Sequence, residues 1–268
     1  MPSLFLVPRR RVELHVLNLE QNAHMNTNSA ARTRKGERRY YPSVFCLALD
    51  TTTPGGSCAI VRDGRIVREA AGDRDRPHDT RLPRDLMTLL EEARVDLRDV
   101  DVYAVATGPG SFTGLRIGIA TMQGLAFAAG KPLVGVSAFA ALARTAGAAP
   151  AVATWVDAWR GEVFAARYED QIETEPPTVE PPAAILRRVA APTLFIGDGA
   201  SVHAEEIRRT LGERAQFAEP LAPSLAGTIA QMALGSVASG VLPEPDAIRP
   251  LYVRRPDAEL ARDARPVR

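Results

Sequence analysis

A chain of 268 residues, 46% hydrophobic and 24% charged, is long enough to bury two modest cores and has a globular composition. A formal net charge of +1 excludes a global field for nucleic acid or membrane, and no apolar run approaches the ~20 residues of a bilayer span. Lys35 and Lys131 are the only lysines, a coding bias and not a binding signal. Cys46 and Cys58 fall in apolar, strand-like runs and read as buried free thiols of a reducing cytoplasm.

Residues 1–43 are of another kind. Arg9, Arg10 and Arg11, then Arg32, Arg34, Lys35, Arg38 and Arg39, sit among Asn, Ser and Thr with little periodicity. That composition predicts a disordered basic leader, with an RNA-touching arm as the alternative. From Val44 the pattern turns regular. Val44 to Leu49 reads as a buried strand ending at Asp50, Ser57 to Val61 as a second, and Asp63-Gly64 as a hairpin turn into a third over Arg65 to Ala70. Leu82, Leu86, Leu89, Leu90 and Ala93 recur at helical spacing and predict a helix from about Asp79 to Arg94. Val102 to Ala106 is strand four. The run Gly108-Pro109-Gly110-Ser111-Phe112-Thr113-Gly114 then opens a helix capped by Thr113 or Ser111 and stopped by Gly130. Leu133 to Val136 is strand five, and Ala138 to Ala146 a short helix.

A shorter second set follows the break at Gly147 to Pro150. Strands are expected at Val152 to Val156, Val163 to Tyr168 and Leu194 to Ile196, and helices at Ala183 to Val189 and Leu225 to Val237. Glu173 to Pro182 reads as a Pro- and Glu-rich surface loop. Three antiparallel strands followed by alternating helices and strands is the order of a ribonuclease-H-like unit. Two such units in tandem predict an α/β protein of the actin, sugar-kinase and heat-shock-chaperone architecture, with the second lobe reduced. The expected divisions are a leader over 1–43, lobes over 44–148 and 149–250, and a tail over 251–268.

Several stretches together resemble the TsaB (YeaZ) family. They are Leu47-Ala48-Leu49-Asp50-Thr51, Ser57-Cys58-Ala59, His78 before Leu82-Pro83, Gly108 to Gly118, Asp157 to Phe164, Gly197-Asp198-Gly199-Ala200 and Pro250 to Arg254. The likeness covers about Val44 to Pro256 and is most specific at the Gly-Pro-Gly-Ser-Phe-Thr-Gly run. It implies a cytoplasmic subunit in the synthesis of threonylcarbamoyladenosine in tRNA. Such a subunit pairs with a catalytic TsaD-like subunit, is joined by a TsaE-like ATPase, meets tRNA through the complex, and is itself non-catalytic. A homodimer in the absence of TsaD is a further implication.

The residues themselves agree on the missing chemistry. TsaD-type catalysis needs a metal held partly by a His-x-x-x-His pair, which would fall near Ser137 and Ala141, where no histidine stands. Only His78 and His203 lie beyond the leader, so no metal is expected, and neither the metal pair nor the nucleophile–base pair of a peptidase is present. His78 has the pKa of a general base but no nucleophile to serve. Asp50 and Thr51 are the candidates for a nucleotide phosphate. Trp159 and the lack of paired glycines in the second lobe oppose tight ATP binding, and no Gly-Lys-Ser/Thr follows the glycine loop, so no cofactor is expected.

The predicted partner surface lies on the two long helices. Gly114 and Gly118 stand one turn apart, with Thr121 and Leu125 continuing their face, and Arg81 and Asp85 on the neighbouring helix. Small residues let another element come close: a partner helix on one reading, the chain's own sheet on the other. The first reading expects Gly118→Arg to leave the monomer folded. Two rival functions remain open at this level, a small ATPase or kinase using Asp50 and the cleft, and a tRNA-binding module using the leader.

Overall fold

The computed structural model describes residues 43–240 and 243–254. Apart from Ser43, the expected basic leader lies outside the described residues, as does the tail beyond Arg254.

The first lobe is a five-stranded sheet built from β1 (Phe45–Asp50), β2 (Ser57–Arg62), β3 (Arg65–Ala71), β4 (Val100–Gly108) and β5 (Leu133–Ser137). Its order is β3-β2-β1-β4-β5, with β1 to β3 antiparallel and β4 and β5 parallel to β1. The Asp63-Gly64 turn takes positive φ at both residues, as a two-residue hairpin requires. Helices α1 (His78–Ala93) and α2 (Phe112–Ala129) link β3 to β4 and β4 to β5. Their apolar stripes, among them Leu86 and Leu89 of α1 and Ile119 and Met122 of α2, cover the outer sheet face through Leu47, Leu49 and Val105. Ser111 caps α2 by accepting from the Gly114 amide at 3.1 Å, and Gly130 ends it in the left-handed conformation.

The second lobe repeats this plan. Strands β6 (Val152–Asp157), β7 (Val163–Glu169), β8 (Ile172–Glu180), β9 (Thr193–Ile196) and β10 (Ala215–Phe217) form a sheet of order β10-β9-β6-β7-β8. The chain is thus two ribonuclease-H-like lobes in tandem. The second lobe's reduction is in length and not in strand number: β9 has 4 residues and β10 has 3. Its outer face carries α4 (Pro182–Leu186), α5 (Asp198–Val202) and α6 (Ala204–Leu211). The segment expected as a loop over Glu173 to Pro182 is the edge strand β8. Pro176 and Pro177 fall between the paired residues Glu175 and Thr178, where the register slips, so their missing N–H groups break no ladder contact.

Two helices exchange lobes. Helix α3 (Ala138–Ala146) follows the first sheet but also packs on β6 and β9, while α7 (Ala226–Ala238) follows the second sheet and packs on β1, β2 and β4. Together they fill one core between the sheets, with Cys46, Ala48 and Ala104 on one side and Val156, Phe164 and Ile196 on the other. The grouping of 149–250 as one lobe is therefore corrected at its end, because α7 belongs with the first sheet. First-lobe side chains also cap it. Ser57 Oγ accepts from the Leu225 and Ala226 amides at 3.2 and 3.1 Å, and Glu69 from the Gly227 amide at 2.8 Å.

Ser57→Ala leaves those two amides without their acceptor inside the core. It is expected to cost about 1–2 kcal/mol in urea denaturation, and an unchanged midpoint would count against the cap.

Candidate functional site

The turn after β1 is closed on itself. Asp50 is 3% exposed, and its carboxylate accepts from the Thr52 amide at 2.9 Å and the Thr52 hydroxyl at 2.7 Å. Burial pushes its pKa up, with the two Thr52 bonds opposing. Ser111 donates its amide to Thr52 O at 2.8 Å, so the glycine loop lies directly on this turn.

The contact corrects the expected partner surface. Gly114 and Gly118 are buried and face inward: a methyl group on Gly114 would overlap Thr51 O, and one on Gly118 would overlap Thr51 Oγ1. The glycines serve the chain's own turn, because only their missing side chains let α2 approach that closely. Thr51 Oγ1 is buried there with no hydrogen-bond partner. Arg81 is also corrected. It is 3% exposed, pairs with Asp85, and donates to the carbonyls of Pro54, Gly55 and Arg76. Asp85, Thr121 and Leu125 are half-buried, and the Thr121 hydroxyl donates to Ile117 O at 2.8 Å.

His78 belongs to the same network. Its Nε2 lies 3.0 Å from Thr53 O, which can only accept, so Nε2 carries the proton and Nδ1 accepts from Arg81 Nη2 at 3.0 Å. Both ring nitrogens are engaged structurally, and burial holds the imidazole's pKa below its usual value. The ring fastens α1 to the Asp50 turn.

The second lobe carries the equivalent turn, at the end of β6. Asp157 accepts from the Trp159 amide at 2.9 Å, and Asp198 accepts from the Asp157 and Gly199 amides at 3.1 and 2.9 Å. Burial pushes the Asp198 pKa up to about 6 against those two bonds, with the charges of Asp157 and Asp50 adding to it. Trp159 sits at the tip with φ of 57°, 44% exposed. Arg254 from the tail bonds Ala158 O at 3.1 Å and pairs with Glu162, so this turn too is held by the chain itself. No group of three or more His, Cys, Asp or Glu among the described residues could hold a metal ion.

What remains open is the outward face of α2. Arg116, Ala120, Gly124, Phe127 and Ala128 are exposed, Phe127 by 85%, and nothing approaches Gly124 within 4 Å. Met87 of the neighbouring α1 is 52% exposed. A helix face of small residues ending in a bare phenylalanine is an unpartnered surface. The residues expected at a partner surface lie on the inner side of α2, and its exposed side was not anticipated. The stripe Leu115, Ile119, Met122 and Ala126 is buried and marks the core side, and Gly124 lies opposite it.

The profile of the family described as "TsaD: tRNA N6-adenosine threonylcarbamoyltransferase" matches residues 72–261. The chain is 36% identical over 219 residues to an uncharacterized protein of Mycobacterium tuberculosis, covering 80% of this chain and 93% of that one. It is 38% identical over 126 residues to the tRNA threonylcarbamoyladenosine biosynthesis protein TsaB of Escherichia coli, covering 46% of this chain and 54% of that protein. Among solved structures, YeaZ from Pseudomonas aeruginosa matches with a TM-score of 0.63 at 32% identity, over 78% of this chain and 99% of that one.

Two predictions follow from the two turns. Gly118→Ala should destabilise by about 1–3 kcal/mol through overlap with Thr51, whereas Gly124→Ala should stabilise by up to about 1 kcal/mol, as both melting curves would show. Asp198 has a folded pKa above its unfolded value, so the folded chain binds a proton that the unfolded chain has released. Its contribution is therefore fully present near pH 4 and is lost as the pH rises through about 6. Asp198→Asn keeps an acceptor for both amides, so the variant should gain about 2 kcal/mol on wild type between pH 4 and 7 in urea titrations. A constant difference would exclude this titration.

Proposed function

The chain belongs to the TsaB/YeaZ family, and on that premise we propose that it is the non-catalytic supporting subunit of a tRNA threonylcarbamoyladenosine-synthesising complex. The observation that carries the reading is the outward α2 face, with Gly124 open and Phe127 85% exposed. On this reading a TsaD-like subunit lays a helix across α2 and the adjoining α1. Ala120 and Gly124 admit the partner backbone, and Phe127 and Met87 flank the contact. Burying the Phe127 ring alone contributes about 2 kcal/mol to such a contact. A TsaE-like ATPase joins the pair, and tRNA is met through the complex.

The role asks no chemistry of this chain, which accords with the state of both turns. The Asp50 carboxylate is engaged by Thr52, and Arg254 pairs with Glu162 beside the second turn. The supporting action is to hold the catalytic subunit's own helix pair in its working arrangement. Its strength depends on how rigidly α2 is presented, and Gly114 and Gly118 fix α2 onto the Thr51 turn.

The test is reconstitution of tRNA modification by TsaD and TsaE with and without this chain. Activity is expected only when the chain is present, and full activity without it would remove the proposal. Gly124→Arg should keep the melting temperature within a few degrees yet abolish co-purification with TsaD. Retained binding by that variant would move the interface elsewhere.

A further inference from the structure

The groove between β3 and α1 holds more positive charge than its own acids neutralise. It encloses a cavity of about 260 Å³. Four arginines line it, Arg68, Arg76, Arg81 and Arg84. Arg68 pairs with Glu92 at 2.8 Å and Arg81 pairs with Asp85, which uses the two acids of α1 that face the cavity. The third lining carboxylate, Asp50, is 3% exposed and bonded to Thr52. Arg76 and Arg84 have no ion pair among the described residues, which leaves two uncompensated cations on one concave wall.

The wall is also built to stay in place. Arg81 has a side-chain exposure of 4% and crosses the inner end of the groove. Its Nε donates to the Arg76 carbonyl at 3.1 Å, tying the loop that carries Arg76 to the first turn of α1. Apolar residues, among them Ala70 and Leu89, and the hydroxyl residues Ser57 and Thr88 complete the lining.

We propose that this groove binds a small phosphate monoester, its dianion between Arg76 and Arg84 and its organic part over Ala70 and Leu89. Two forked cations match the two charges and the several oxygens of a phosphate group better than a single carboxylate. The volume lies below the ~300 Å³ at which pockets begin to take drug-sized ligands, so the organic part is of about pentose size. The site shares α1 with the proposed partner contact but not the α2 residues Gly124 and Phe127 that carry it, and the titration reads the isolated chain without a partner. Failure here leaves the co-purification result untouched, and the reverse also holds.

Calorimetric titration of the full chain at fixed ionic strength with ribose 5-phosphate, inorganic phosphate and ribose tests the assignment. Ribose 5-phosphate should saturate one site and bind more tightly than inorganic phosphate, and ribose should give no heat. Arg76→Ala with Arg84→Ala should weaken binding by about tenfold per arginine at an unchanged melting temperature, while Arg209→Ala on α6 should have no effect. Inorganic phosphate binding as tightly as the ester would overturn the ester assignment. Absence of saturation, or equal affinity in the double variant and in Arg209→Ala, would overturn the site.

Discussion

The contact that organises this molecule is the seating of α2 on the turn that follows β1. Two glycines one helical turn apart, Gly114 and Gly118, meet the carbonyl and hydroxyl of Thr51 with no side chain between them. A helix set this deep brings Ser111 onto Thr52 and lays the glycine loop along the turn. The Asp50 carboxylate is then occupied by its own turn. Seating one face of α2 also determines which face is left outside, so the turn and the outward surface are two consequences of one contact.

The lobes are joined just as firmly. Because α3 and α7 cross over, the first sheet's inner face is covered by helices from both halves of the chain and the second sheet's by α3 from the first half, and the two halves share one core. Ser57 and Glu69 supply the first-lobe acceptors for the amides at the start of α7. The tail adds a strap outside that core. Leu251 donates its amide to Thr107 O at 2.7 Å, Tyr252 stacks on Phe112 with centroids 5.2 Å apart, and Arg254 reaches the second-lobe turn. A chain tied at the core and at the rim presents its outer helices as a rigid surface.

Much of this architecture is legible in local pattern. Alternating apolar runs, the Asp63-Gly64 turn and the Gly130 stop locate the first lobe's elements within one or two residues, because each rests on interactions between near neighbours in the chain. The second lobe is less legible. The strand expected at Leu194 to Ile196 is β9, but a strand of three residues such as β10, or a helix of five such as α5, carries too few side chains for a period to show. The Pro-rich β8 lacks the alternation of a strand because neither of its faces is buried.

The sequence by itself determined the two tandem units, the family resemblance, and the lack of a His-x-x-x-His pair. Those are properties of residue type and order, and no fold can add a side chain that is missing. Only the tertiary structure decided what the glycines of α2 are for and which way Arg81 points. A glycine pair at i and i+4 reports that something comes close, but not whether it is the chain's own turn or another molecule. That choice belongs to the long-range packing of residue 51 against residue 118. It put Gly118 inside the fold and left Gly124 outside.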